Sequence, residues 1–387
     1  MMKPSRRRAV IALALLGTTL GAVAGASSIS AINDAAVAAP TAAANGRARL
    51  IAPVKLGDGS LADMVEAVGP AVVQIEARPE QPRSEGYAMG NPFGDGMNGF
   101  SGGQIEEGGS SARAALGSGF IIDPSGLIVT NNHVVANART VKVKFSDGRE
   151  LSGRVLGRDP KTDLAVVRIE GGGRFTAIPW GNSDNIRVGD GVFAVGSPFG
   201  LGNTVTSGIV SARGREIGAG PYDDFLQVDA AINSGNSGGP LFNANGQVIG
   251  VNTAIFSPSG GNVGIGFAIP SRMAQSIVRQ IATEGRVSRG RIGVALQSLT
   301  PDIARELDLA NAQGALIADV EPGGPAAQAG LQRGDVVTSF AGRPIDDSRA
   351  LSRAVAQSKN GATVSATVVR GGRPARVKLR IVPMQEG

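Results

Sequence analysis

Cysteine is absent from the 387 residues, and histidine occurs once, at position 133. One imidazole and no thiol exclude, within a single chain, a Cys/His zinc site, a cysteine nucleophile, a disulfide framework and thioether-linked haem. Any imidazole chemistry must therefore run through His133. Aromatic residues are also few, with one Trp and two Tyr. Against these absences stand 42% hydrophobic and 18% charged residues, enough for packed cores in a chain long enough for two or three domains. Positive charge is less abundant than it looks. Of the net +6, four charges come from Lys3, Arg6, Arg7 and Arg8 ahead of an apolar run. The remaining excess is too small for a nucleic-acid surface.

Residues Ala9 to Ala26 are uncharged and largely apolar, and small-residue sites follow at Ala24-Gly25-Ala26 and Ala36-Val37-Ala38. Positive, apolar and small-residue regions in that order read as a secretory leader and the start of a linker over 1–38, cut near 26 or 38, for an exported protein. An uncleaved inner-membrane anchor is the alternative, because the run of 18 residues just reaches spanning length. A linker is expected over 39–59, followed by a helix capped by Ser60 with Leu61, Met64, Val65 and Val68 on one face. A strand follows over Val72 to Ala77, and then a Gly-, Ser-, Asn- and Pro-rich loop over 79–111.

From Gly117 onward, short β-rich runs follow one another without long helices, separated by turn signals such as Asp147-Gly148 and Asn245-Gly246. This pattern indicates an all-β sandwich or barrels over 60–285, closed by a helix that Ser271 caps and that ends before Gly285. Residues 287–387 alternate strands and short helices and read as a small α+β module.

Gly235-Asn236-Ser237-Gly238-Gly239-Pro240 puts a serine in a glycine-dense turn between two strands. Glycines on both sides permit positive-φ geometry that exposes the hydroxyl and aims neighbouring amides together. The backbone of Gly235, Asn236 and Ser237 is thus the candidate oxyanion hole, with the amides of Gly235 and Ser237 as donors. A serine nucleophile needs a base, and the base needs a carboxylate on its other nitrogen. His133 ends one β-run and Asp163 begins another. The chain order His, Asp, Ser is that of chymotrypsin-like enzymes. The plain alternative, a core histidine beside a turn aspartate, leaves three concurrent matches unexplained.

On these residues the sequence resembles the HtrA/Deg (Do-like) family of serine endopeptidases. The resemblance runs from about Leu61 to the C-terminus, through Gly117-Ser118-Gly119-Phe120, Thr130 to Val135, Thr162 to Val166, Ala194 to Gly200, Asp229 to Pro240 and Gly264 to Pro270. It implies a chymotrypsin-like double β-barrel with the triad between the barrels, followed by one PDZ domain. It also implies an ATP-independent acyl-enzyme mechanism with no cofactor and no metal, unfolded polypeptides as substrates, and homotrimers or multiples of them. Peptide binding at the PDZ groove is expected to shift the protease between inactive and active arrangements.

Substrate preference is partly readable. Ala231 stands where trypsin-type enzymes carry an Asp, so Ala231 and Ile232 form an uncharged wall suited to small or medium aliphatic side chains. The segment with Gly264, Ile265 and Gly266 is expected to pair with an extended substrate backbone. Arg291-Ile292-Gly293-Val294 resembles a PDZ carboxylate loop, supported by Pro322 to Leu331 and Gly334-Asp335-Val336-Val337. C-terminal peptides are therefore expected partners. Two departures stand out: Ala341-Gly342 where relatives have Asn-Gly, and Val228 where they have Thr. A peptide-binding chaperone or stress sensor, in which holding outweighs cleavage, is the competing reading. A scaffold built on a dead protease fold would have lost a triad member, and none is missing.

Overall fold

The computed structural model describes residues 60–78, 114–197, 202–233, 235–257, 261–307, 309 and 311–384. The leader, the linker and the loop 79–111 lie outside these residues. The first described element, α1 (Leu61–Val68), starts at a capping box in which Ser60 accepts from the Asp63 amide and the Asp63 side chain accepts from the Ser60 amide. Its Met64 and Val68 are buried.

Twelve strands then form two closed antiparallel barrels. β1 (Val72–Ala77), β2 (Ala115–Asp123), β3 (Leu127–Asn131), β4 (Thr140–Lys144), β5 (Glu150–Asp159) and β6 (Leu164–Ile169) close in the order β1-β2-β3-β6-β5-β4. β7 (Gly191–Gly196), β8 (Thr204–Arg215), β9 (Phe225–Val228), β10 (Pro240–Asn243), β11 (Val248–Ile255) and β12 (Gly266–Pro270) close in the order β10-β11-β12-β9-β8-β7. Closure gives every barrel strand two neighbours, which limits the aggregation hazard of long exposed strands. Sequence reading overlooks β5. Its ten residues carry charges and two glycines, few are buried, and the register slips between Val155 and Gly157, so no alternating apolar pattern marks it.

Helix α2 (Ser271–Glu284) lies across both barrels, touching β5 and β6 of the first and β11 and β12 of the second. Met273, Ala274, Ile277, Val278 and Ile281 are its buried face. Gly157 lets it approach: a Cβ there would collide with the carbonyl of Gly285. Ser271 is not the cap expected from the sequence. Pro270 occupies that position, and the buried Ser271 hydroxyl instead donates to the Gly181 carbonyl and accepts from the Ser183 amide.

The C-terminal module begins with β13 (Gly290–Arg291) and continues through β14 (Val294–Ser298), α3 (Pro301–Glu306), β15 (Ala315–Val320), α4 (Pro325–Gln328), β16 (Val336–Phe340), β17 (Arg343–Pro344), α5 (Ser348–Ala356), β18 (Thr363–Arg370), β19 (Arg373–Arg380) and β20 (Val382–Pro383). The sheet order β14-β15-β16-β18-β19 leaves β14 with one strand neighbour. Its core holds Ile317, Val337, Phe340, Leu351 and Leu379. The module and the barrels belong to one compact unit.

The Ala341-Gly342 departure resolves into a two-residue hairpin between β16 and β17, with φ of 52° at Ala341 and 76° at Gly342. Such a turn needs left-handed geometry at both positions, which alanine adopts at a cost of roughly 1–2 kcal/mol and asparagine tolerates better. Ala341 is exposed, so a larger side chain is not crowded. Ala341→Asn is expected to stabilise the module by about 0.5–1 kcal/mol. A denaturant midpoint that does not move would refute this account of the turn.

Candidate active site

The cleft between the barrels is built from backbone connections as much as from side chains. His133 follows β3 and Asp163 precedes β6, and these two strands are neighbours in register from Leu127 to Asn131. The pairing brings the two residues together although 30 positions separate them. The imidazole Nδ1 of His133 lies 2.7 Å from Asp163 Oδ2, and the His133 amide donates to Oδ1 at 3.0 Å. The remaining donor comes from the other barrel: Thr253, on β11, gives its hydroxyl to Asp163 Oδ2 at 2.7 Å. Asp163 is wholly buried and sits at φ 55°, a left-handed conformation that aspartate tolerates better than most residues. Its carbonyl accepts from the Asn132 amide at 3.1 Å and from Asn131 Nδ2 at 2.9 Å, which holds that conformation.

The turn before Asp163 is anchored from outside the barrels. The Asp159 carboxylate accepts from the Thr162 hydroxyl and from the Arg289 guanidinium, with both charged partners buried. Arg289 stacks over the Tyr222 ring, 4.8 Å from its centroid, and immediately precedes β13. Burial raises the Tyr222 hydroxyl above its ordinary pKa, while the Arg289 charge pulls the other way.

Ser237 approaches from the second barrel just ahead of β10. Its carbonyl accepts from the Ser118 amide at 2.8 Å. The Ser118 hydroxyl donates to the Gly235 carbonyl and accepts from the Ser197 amide at 2.8 Å. Ser118, on β2 of the first barrel, is thus the strut that seats the turn. A side chain at Gly117 would meet a Val134 methyl at 2.6 Å and the Ser237 carbonyl at 3.2 Å, so the chain next to His133 and the backbone of Ser237 converge there. Gly235 and Gly238 have φ of 105° and 81°, and a Cβ on Gly238 would strike the Ser118 carbonyl. Glycine is required at Gly238 by both conformation and space.

The structure does not join Ser237 to His133 directly. Among the described residues the Ser237 hydroxyl has no hydrogen bond, and His133 Nε2 is buried without a partner. The amides of Gly235 and Ser237 likewise donate to no described residue, whereas Asn236 differs from the expectation placed on it. Its amide is committed to the Asn233 carbonyl at 3.0 Å and its buried side chain to the Ala231 carbonyl at 3.2 Å. It braces the turn and offers no free donor.

The uncharged wall is present as geometry. Ala231 is fixed by Thr206 and Asn236 through its carbonyl, and Ile232 is buried, its Cγ1 2.7 Å from where a Cβ on Gly266 would stand. Val228 lies beneath, 3.4 Å from the same point. The expected substrate-pairing role of Gly264, Ile265 and Gly266 needs correction. Gly266 to Ala268 are hydrogen-bonded to β9 on one side and β11 on the other, leaving no edge for a third strand. Gly264 and Ile265 precede β12, and the Ile265 carbonyl already accepts from the Phe256 amide at 3.0 Å. The open edge is on β11 beyond Asn252, where pairing with β10 has ended at Val251.

In the C-terminal module, Gly293 has φ 75°, and the carbonyls of Ile292 and Gly293 accept from the amides of Ala326 and Glu321 at 2.9 and 3.0 Å. Arg291 pairs with Glu321 at 2.9 Å, and Val294 opens β14. Neither Thr253 nor the β11 edge is marked by the sequence, since a threonine in a buried strand looks like an ordinary core residue, and Ser118 enters only as part of Gly117-Ser118-Gly119-Phe120, with no sign of its role.

A double barrel with these residues in its cleft defines a trypsin-like serine peptidase carrying a peptide-binding module. Residues 117–251 match the trypsin-like peptidase domain and 290–381 the PDZ domain. The chain is 43% identical over 406 residues to a probable periplasmic serine endoprotease DegP-like from Brucella suis, covering 98% of this chain and 77% of that protein. A protein of the same description from Rhizobium meliloti is 52% identical over 267 residues, 69% of this chain and 53% of its own length. The chain therefore spans about half to three quarters of these relatives. Among solved structures, the HtrA-type protease AlgW with tripeptide superimposes with a TM-score of 0.70 at 38% identity, over 85% of this chain and 99% of that one. The chain belongs to the DegP/HtrA family of periplasmic serine endoproteases.

If Thr253 is the second-barrel anchor of Asp163, Thr253→Val leaves a buried carboxylate oxygen short of a donor. A hydrogen bond to a charged group is worth about 1.5–3 kcal/mol, so kcat should fall roughly ten- to a hundredfold. KM should hold, and steady-state peptide hydrolysis that is unaffected would remove Thr253 from the machinery.

Proposed function

We propose that this chain is an exported, ATP-independent serine endopeptidase of envelope quality control that cleaves unfolded polypeptides after small or medium aliphatic residues. The observation that carries the reading is the buried Asp163 carboxylate holding His133 Nδ1 at 2.7 Å in the cleft where the Ser237 turn converges. In this reading residues 60–285 are the protease domain and 287–387 the PDZ domain, and maturation removes the leader, placing the enzyme in the periplasm.

Asp163 accepts a hydrogen bond from Nδ1–H, which keeps that proton on Nδ1 and leaves Nε2 of His133 as the lone-pair nitrogen. Nε2 takes the Ser237 proton as the hydroxyl oxygen attacks the scissile carbonyl. The hydrogen bond between them forms as substrate closes the cleft, since catalytic hydrogen bonds are often long in ligand-free enzymes. Charge developing on the carbonyl oxygen is met by the free amides of Gly235 and Ser237. His133 then protonates the leaving amine, an acyl-enzyme forms on Ser237, and water activated by the same imidazole releases it. The substrate backbone adds along the open edge of β11 at Thr253 to Ile255, flanked by exposed Phe256 and Val263. Only an extended, unfolded segment can lie there. Ile232 and Val228 make the pocket for the residue before the cleaved bond shallow and apolar, so a lysine would be buried unpaired.

The module's groove is read as a site for C-terminal peptides that regulates the protease, and trimeric assembly belongs to the same reading through the family resemblance. Chaperone-like holding of unfolded chains by the cleft and groove is compatible with this enzyme.

Digestion of casein should vanish in Ser237→Ala, while suppression of aggregation by that variant would measure holding separately. Undiminished digestion would sink Ser237 as the nucleophile. Across peptides that differ only before the cleaved bond, Val or Ala should exceed Lys in kcat/KM by at least about a hundredfold. Parity between Val and Lys would refute the pocket.

A further inference from the structure

We propose that Lys161, a residue of the protease domain, supplies the cation that reads the terminal carboxylate of a peptide bound in the PDZ groove. The inference rests on the reading of that groove as a peptide site and adds to it a ligand contact from the other domain.

The groove is a cavity of about 710 Å³ between β14 and α5. Its apolar lining includes Val294, Leu296, Leu351 and Val355, which suits a peptide whose last residue is aliphatic. The outer edge of β14 is free for an added strand. At the end where a carboxylate would fall, the amides of Ile292 and Gly293 donate to no described residue. Amides alone leave the charge of the carboxylate unbalanced in a partly desolvated groove, so a cation there is worth seeking.

Two cations line the cavity, Arg291 and Lys161. Arg291 is already engaged by the Glu321 carboxylate at 2.9 and 3.4 Å, although its Nε remains buried without a partner. Lys161 has no acidic partner among the described residues. Its ammonium lies 3.5 Å from the Met384 thioether, a weak acceptor that does not neutralise charge. Met384 is itself tied to the groove, its amide donating to the Arg289 carbonyl at 2.7 Å. Pro221 and Tyr222 of the protease domain line the same cavity, so the groove is walled by both domains. Lys161 offers a compact, flexible point charge with three donors, suited to a carboxylate arriving from a mobile peptide. It stands two residues before Asp163 in the turn that Asp159 and Arg289 anchor, so the contact lands on the segment that orients the imidazole.

The test uses the full chain carrying Ser237→Ala, so that ligand is not cut, and a fluorescein-labelled decapeptide ending in Val, made as free acid and as carboxamide. Fluorescence polarisation should show the free acid bound more tightly than the amide by about tenfold. Lys161→Met should weaken the free acid about fivefold or more and leave the amide within about twofold. Lys161→Arg should restore most of the preference, which a merely structural defect would not allow. If the acid-to-amide ratio in Lys161→Met equals that of the parent, the proposal is overturned while peptide binding stands. If Arg291→Gln alone abolishes the ratio, the reading cation is the module's own and the proposal is likewise overturned. If neither peptide binds the parent chain, the peptide-site reading fails and takes this proposal with it.

Discussion

A carboxylate with no exposure to solvent must have its oxygens occupied, and in this protein the donors to Asp163 come from both barrels. The first barrel gives the amide and Nδ1 of His133, and the second gives the Thr253 hydroxyl. The requirement that buries and satisfies Asp163 is therefore also what fixes the two barrels at the cleft. A triad residue of this kind does structural and chemical service with the same atoms. Separating the barrels would take the Thr253 donor from Oδ2 and open the buried Asp163–His133 pair to solvent in one step.

The opposite wall follows a different logic. The Ser237 turn has no buried charge to organise it and relies on close backbone approach. Ser118 reaches it with both its amide and its hydroxyl, and the space that makes this possible is that left by missing side chains at Gly117, Gly196 and Gly238. At Gly196 a Cβ would run into Asn236, which braces the turn. The price of the arrangement is positive φ at Gly235 and Gly238, which glycine meets without strain. Two donors are left over, on Gly235 and Ser237, because the other amides of the turn are committed: Asn236 donates to Asn233, Gly238 to Asn252 and Gly239 to Asn236. The candidate oxyanion site is what the turn's own hydrogen bonding does not consume.

This division explains what sequence reading reaches. His133 stands out because it is the sole histidine, and Ser237 because glycine density around a serine is rare without a conformational reason. The continuous apolar runs of β3 and β6, which set the spacing of His133 and Asp163, are equally visible. β5 is not, because a bulged strand under a helix has no simple period. Thr253 and Ser118 escape for a deeper reason: each acts through hydrogen bonds to partners that are distant in sequence, Thr253 to Asp163 and Ser118 to Gly235, Ser237 and Ser197, and local pattern carries no trace of such partners. Sequence reading misplaces the substrate-pairing edge because Gly264 to Phe267 looks like one strand, of which only Gly266 and Phe267 belong to β12. Whether a strand is central or at an edge depends on its neighbours, and here β9 and β11 already cover it. Asn236 was misjudged similarly, since only the fold shows its amide closing a turn.

The five residues from Asp159 to Asp163 are one place where the two halves of the molecule meet, beside the Arg349–Glu216 pair and the Arg353 donation to the Asp223 carbonyl. Asp159 is bound by Arg289, which leads directly into β13 and the candidate carboxylate loop of the module, and Asp163 holds the imidazole. Thr162 links the two by donating to Asp159, and Lys161 faces the groove. A turn this short, with one end at φ 55° and the other in a buried ion pair, has few torsions free to absorb a displacement. Any force that a ligand applies at Lys161 must therefore be borne either by the Asp159–Arg289 pair or by the seating of Asp163. The first would shift the module and the second the imidazole, so the same contact that selects a peptide is placed to bias the catalytic geometry.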